Sequence, residues 1–277
     1  MPAIQPERLQ RQSAELAATF ESPGKFIREL DHLFEFYADR ATTSEETETL
    51  HRELYSFNPP SQLINHIRTD LQAIINEYPE KSFELAEALW SHPIHEARIL
   101  AVYILGSIQY SPNSSEVYKI QSQLLDHITR WKKSAPDHEL LAILADDGLT
   151  YWRKTDPDML LDQIAEWLKN SKMGDAAFGL TALKALIMEP DYENLPGVFT
   201  IIRPLIEKSD RSTRAELRSV IMACAARSAL ETLTFLEKLS SSADPKNFKW
   251  LIRYSSASFP DEMSVRLRRL LRSTASG

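Results

Sequence analysis

Three features of the sequence predict an all-α chain folded as a right-handed superhelix (α-solenoid) of helical hairpins. Apolar residues recur with a helical period along the whole length, as in Leu63, Ile67, Leu71, Ile74 and Ile75, or Leu160, Leu161, Ile164, Trp167 and Leu168. Prolines punctuate that pattern at Pro59-Pro60, Pro79, Pro93, Pro112, Pro136, Pro157, Pro196, Pro245 and Pro260. Several of these marks lie about 20 residues apart, the length of one helix of a solenoid hairpin. Only seven Gly and five Val occur among 277 residues, which leaves little for tight turns and strands.

Element by element, the first helices fall at 6–20 and 25–38, and Thr42-Thr43-Ser44-Glu45 reads as a capped helix start (Ser44 with Thr47, or Thr42 with Glu45). Helices follow at 61–77, 82–90, 94–108, 115–132 and 136–154, each opened by a proline, serine or apolar residue after a turn. The segment from Leu85 to Ala101 displays the plan most clearly: one helix ends near Ser91, His92-Pro93 turns the chain, and the next helix starts at Ile94. Further helices are expected at 157–170, 174–187, 195–207, 212–227, 230–239, 245–255 and 261–272, before a frayed tail at 273–277. A hairpin of this kind has an apolar side that it cannot bury alone, so neighbours must stack on it. No linker divides the chain, and one domain is expected over 1–277. Within it, 1–56 are N-terminal cap helices, 58–227 the central repeats and 228–277 basic C-terminal helices.

An apolar fraction of 43% and a charged fraction of 26% mark a globular chain, not a disordered one. Cys224 is the only cysteine, which excludes an intrachain disulfide and a cysteine metal cluster. The start Met1-Pro2-Ala3-Ile4 lacks the basic and apolar regions of a signal peptide, and no apolar run has membrane-spanning length, so a cytoplasmic protein with no membrane partner is expected. The net charge of −7 is unevenly placed: residues 1–200 carry 18 basic and 31 acidic side chains, residues 201–277 carry 14 and 8. A basic C-terminal quarter suits an anionic ligand, or is simply the charged cap of a repeat array.

The segment Asn58-Pro59-Pro60-Ser61-Gln62-Leu63-Ile64, then Leu89-Trp90 and His95-Glu96-Ala97-Arg98-Ile99-Leu100-Ala101, and then Asp156-Pro157-Asp158 with Glu166-Trp167-Leu168, resembles the HEAT-like-repeat DNA-alkylation-repair glycosylases of the AlkD type, out to about Arg227. The resemblance implies a concave DNA-facing surface carrying a Trp-Asp-x-x-Asp segment, which supplies an aromatic wall and a carboxylate beside the damaged base. Aligned backward from Asp156-Pro157, that segment falls on His138-Glu139-Leu140-Leu141-Ala142, so the acid position holds Ala142. A family arginine falls near Ala177, and the 212–227 helix, where a second cleft tryptophan belongs, has no aromatic residue. Cleavage of an N-glycosidic bond builds cationic charge on the sugar, which a nearby carboxylate stabilises. Asp146 and Asp147, one helical turn beyond Ala142, are the alternative acids, or else solvated or capping residues.

Other constellations carry less. His92, His95 and Glu96 are of metal-ligand type, but their spacing crosses a helix start and matches no zinc motif; a helix-dipole and inter-repeat role for Glu96 and Arg98 is the expectation, with no metal. Cys224 sits in an apolar run and reads as a core residue, and Trp90, Trp131, Trp152 and Trp167 read as packing between hairpins. No phosphate loop and no Gly-x-Ser-x-Gly elbow occurs, and no cofactor is expected. Arg211, Arg214 and Arg218 form a stripe at i, i+3 and i+7 on one predicted helix, suited to phosphates, to an acidic partner or to solvent. Lys246, Lys249 and Arg253 extend it on a later helix, where Trp250 and Tyr254 are either core or an exposed recognition surface. The expected function is therefore a non-catalytic HEAT-like repeat binding or scaffold protein, engaging a protein partner or the DNA phosphate backbone. The alternative is a DNA glycosylase acting on alkylated bases.

Overall fold

The structure, a computed structural model, describes residues 6–38, 54–110, 117–169, 173–208, 211–242 and 245–273. It is all-α, as the periodicity predicts. The only β-type contact among the described residues is an isolated bridge between Tyr55 and Ile94. The expected capped start at Thr42–Ser44 lies outside the described residues. No helix among the described residues is long and apolar enough to cross a membrane. Contacts divide the chain into two compact units, residues 1–151 and 152–277.

The first unit holds α1 (Pro6–Ala17), α2 (Pro23–Tyr37), α3 (Ser61–Glu77), α4 (Pro79–Trp90), α5 (His95–Ser107), α6 (Val117–Ser134) and α7 (His138–Asp146). Helices two apart in sequence are neighbours, so α1, α3, α5 and α7 form one layer, and α2 packs on α4 in the other. The apolar period explains this: Leu63, Ile67, Leu71 and Ile75 are all buried along one side of α3. Trp90 and Trp131 join α4 to α6 by a parallel stack at 4.6 Å, and their indole N–H groups donate to Ser134 and Glu87. α4 begins at Pro79 and not at Ser82, because proline fits the first helical turn. Ser82 is freed to donate from its buried hydroxyl to the carbonyls of Ile75 and Tyr78, which ties the two helices together.

Glu96 does not form the expected inter-repeat salt bridge. Its Oε1 accepts from the Ser56 hydroxyl at 2.6 Å and from the amides of Phe57 and Asn58 at 3.1 and 2.9 Å, pinning the 54–58 strap to the start of α5. Arg98 donates to the His92 carbonyl and lies over the Trp90 ring. The single helix expected over 136–154 is broken. After α7 comes a 3₁₀ turn, Asp147–Leu149, then α8 (Thr150–Thr155). The cause is a close approach: the Asp147 carbonyl packs directly on Gly106 of α5, where an added Cβ would lie 1.9 Å from that oxygen. A tighter turn at Gly148, a poor helix former, brings the backbone in.

The second unit holds α9 (Pro157–Lys169), α10 (Met173–Met188), α11 (Leu195–Lys208), α12 (Arg214–Arg227), α13 (Ala229–Leu239), α14 (Pro245–Ser255) and α15 (Asp261–Ser273). Again two layers alternate: α10, α12 and α14 lie side by side, and α9, α11, α13 and α15 form the other row. Trp167 meets Phe178 edge-on at 5.0 Å between α9 and α10, and Phe199 stacks on Phe235 at 4.5 Å between α11 and α13. The end of α10 is closed by Arg227 of α12, whose guanidinium donates to the carbonyls of Ile187, Glu189 and Pro190. The Glu189 carboxylate accepts from the buried Arg153 at 2.8 Å.

Candidate nucleic-acid interface

The α10, α12 and α14 layer is where basic charge collects. These three helices carry Lys184, Arg214, Arg218, Arg227, Lys246, Lys249 and Arg253 against only Asp175 and Glu216. The other row is balanced, with eight basic and eight acidic residues between α9, α11, α13 and α15. The exposed or half-exposed edges of α10 and α12 are lined by small and apolar residues: Ala177, Thr181 and Met188 on the first, Ala215, Ser219, Met222 and Ala226 on the second. Thr181 and Ser219 turn their hydroxyls back onto the carbonyls of Ala177 and Ala215, both at 3.0 Å. Met188 is 57% exposed.

On α12 and α14 the residues interlock. Arg214 lies over the Trp250 ring at 5.5 Å and Arg218 over the Tyr254 ring at 5.8 Å, within cation–π reach. Both pairs step by four residues, so one turn of α12 matches one turn of α14. Arg218 Nε also donates at 2.9 Å to the carbonyl of Tyr254, one of the last carbonyls of α14, which lack a helical partner. Trp250 and Tyr254 lean on each other at 5.1 Å with an interplanar angle of 41°. The opposite side of α14 is core, with Phe248, Leu251, Ile252 and Ser255 buried. Lys246 and Arg253 are exposed and Lys249 is half-exposed, on the solvent side of the same helix.

The three-arginine stripe needs one correction. Arg211 belongs to a 3₁₀ turn, Arg211–Thr213, that precedes α12, so it is not in helical register with Arg214 and Arg218; its side chain lies outside the described residues. Arg214 and Arg218 are brought together with Trp250 and Tyr254. The sequence does not by itself pair the arginines of α12 with the aromatics of α14, although the matched i, i+4 spacings on two basic helices carry the signal.

Of the positions aligned with glycosylase chemistry, His138, Ala142 and Asp146 lie on α7 and Ala177 on α10. His138 opens α7, exposed, behind the N-cap Asp137, whose carboxylate accepts from the Leu140 amide at 2.7 Å. Ala142 and Asp146 are both exposed on α7. Asp147 is half-exposed, and its backbone is held by the Gly106 contact and by the Thr150 hydroxyl, which donates to its carbonyl at 2.9 Å. Ala177 is half-exposed on α10. Cys224 is fully buried, and burial pushes its thiol up to about 12, as a core residue requires. His92 meets Asp31 at 3.0 Å while Glu96 holds the strap, so the two diverge, and no cluster of three metal-ligating side chains occurs among the described residues.

A family model described as DNA alkylation repair enzyme matches residues 58–259. The chain belongs to that family. The match starts at Asn58, where the sequence resemblance begins, and runs past Arg227 and α14 to Phe259, so the Arg–aromatic ladder lies inside the DNA alkylation repair region. No curated protein and no solved structure gives a significant match. The family is DNA-associated, which is compatible with a phosphate-backbone ligand for this alkylation-repair relative.

Proposed function

We propose that this DNA alkylation repair family member binds nucleic-acid backbone through its α10, α12 and α14 layer and does not excise bases efficiently. The observation that carries the binding is the gathering of seven basic side chains against two carboxylates on one row of helices, while the other row is neutral. Phosphate contacts position a nucleic acid without reading its sequence, and arginine suits them through its planar fork of donors. Arg214, Arg218, Lys246, Lys249 and Arg253 are the assigned contacts, and Arg211, in the turn before α12, is proposed with them. Two of the arginines are already held against aromatic faces, so little side-chain freedom is lost when a phosphate arrives.

The absence of excision rests on Ala142 at the aligned acid position, Ala177 at the aligned arginine and an α12 without aromatics. Asp146, the nearest substitute, is exposed, and a water-screened carboxylate stabilises an oxocarbenium-like centre weakly. Two measurements test the reading. Arg214→Gln with Arg218→Gln should reduce the slope of log affinity against log salt by about 0.9 per lost duplex contact. Release of methylated purines from alkylated duplex should stay at the spontaneous rate; clear turnover abolished by Asp146→Asn or Asp147→Asn overturns the non-catalytic half.

A second reading has its own observation. Residues 1–151 carry 23 acidic and 13 basic side chains, an excess that repels DNA and suits a basic protein partner on the first unit. Affinity purification with and without nuclease separates the two.

A further inference from the structure

We infer that the α12–α14 ladder takes unpaired nucleotides, with Tyr254 as the stacking platform for a base and Arg218 beside it for the adjoining phosphate; this rests on the backbone-binding reading above. Tyr254 is a large aromatic that remains 47% exposed although Trp250 leans on it and Arg218 covers it. Arg218 and Trp250 each take part of the ring, and about half of the residue stays open to solvent. A half-exposed aromatic ring with an arginine on it fits the π-face of a nucleobase, which a paired duplex keeps inside its own stack. Arg218 also donates from Nε to the Tyr254 carbonyl, which holds the guanidinium beside the ring.

The neighbouring charges extend the strand path. Arg253 precedes the platform and Lys249 lies one turn before Arg253, both on the solvent side of α14, while α14 itself has no acidic residue to repel a strand. Trp250 is half-exposed beneath Arg214 and braces Tyr254, which makes it a positioning residue and not a second platform. Helix α14 is 11 residues long, about 16 Å, which is room for a few nucleotides. Basic groups alone would suit any polyanion. The exposed ring specifies bases that are free to stack.

The test uses the full chain with a labelled 15-nucleotide thymidine strand and a mixed-sequence 15-base-pair duplex, in fluorescence anisotropy titrations over a range of salt. The single strand should bind at least about fivefold tighter than the duplex, with the shallower slope of about 0.7 per phosphate contact. Tyr254→Ala should weaken the single strand about tenfold, the loss of one stacked base, and change duplex affinity less than twofold. Tyr254→Phe, which keeps the ring, should bind as the native chain does. Circular dichroism melts of both variants establish that they are folded. Equal loss on strand and duplex in Tyr254→Ala, or a duplex preferred over the strand, overturns the platform and leaves the backbone reading standing. Failure of both probes to bind at low salt overturns both proposals.

Discussion

Gly106→Ala should destabilise the first unit even though the same change normally favours a helix. A Cβ added at Gly106 would lie 1.9 Å from the carbonyl oxygen of Asp147, 2.9 Å from its carbonyl carbon and 3.2 Å from the Gly148 Cα. All three are backbone atoms, so no side-chain rotation relieves the clash. The 3₁₀ turn must retreat by roughly 1.5 Å to reach ordinary van der Waals contact. Overpacking of this kind costs about 1–3 kcal/mol, and backbone on the far side places Gly106 near the upper end. Gly106 lies in the last turn of α5, so replacing it returns at most about 1 kcal/mol of helix propensity. The net expectation is a loss of about 2 kcal/mol, or a fall in Tm of roughly 4–8 °C for a chain of this size. Gly24→Ala is the matched control: it also sits in a helix, α2, with nothing within 4 Å of the added Cβ, and should be neutral or gain up to about 1 kcal/mol. Thermal melts followed by circular dichroism, with urea midpoints alongside, read both. A Tm for Gly106→Ala at or above the native value would refute the close approach of α5 to the turn, and with it the explanation for the break between α7 and α8.

Three further outcomes follow from the packing. Glu87 is desolvated, which raises its affinity for a proton, but hydrogen bonds from Arg130 and Trp131 and the charge of Arg130 outweigh that and hold it below the usual glutamate range. Its stabilising contribution is present above that range and is lost as pH falls through its own lower value, so Glu87→Gln should flatten the acid limb of a Tm–pH curve below about pH 4.5. Arg227→Ala removes the donors that close α10, and chemical denaturation should report a loss of about 1.5–3 kcal/mol from the second unit. Cys224 should react with a thiol reagent only as fast as the chain opens, since burial both shields it and keeps it protonated.

Much of the fold was legible because one rule, the apolar period of a helix, recurs in every element. The start of α3 and the bounds of α14 follow from Pro60, Pro245 and the apolar pattern alone. What the pattern could not reveal were contacts between elements. The break after Asp146 depends on Gly106, a glycine 40 positions upstream whose missing Cβ admits a carbonyl. Similarly, Glu96 reads locally as a first-turn acid, and only the fold brings the Ser56–Asn58 strap to it.

The same limit governs the site. Arginines and aromatics on α12 and α14 were visible as separate stripes, and each stripe admitted a solvated or a core reading. Pairing decides between them: once Arg218 covers one face of Tyr254 and donates to its carbonyl, the ring is neither core nor loose surface but a fixed, half-exposed plate with a cation attached. A lone arginine of i, i+4 spacing on a helix gains a few tenths of a kcal/mol from a partner and otherwise samples many rotamers. One held at two points offers its remaining donors in a single direction. That difference is why the α12–α14 ladder, and not the larger number of exposed basic residues on α15, is the surface on which ligand binding should depend.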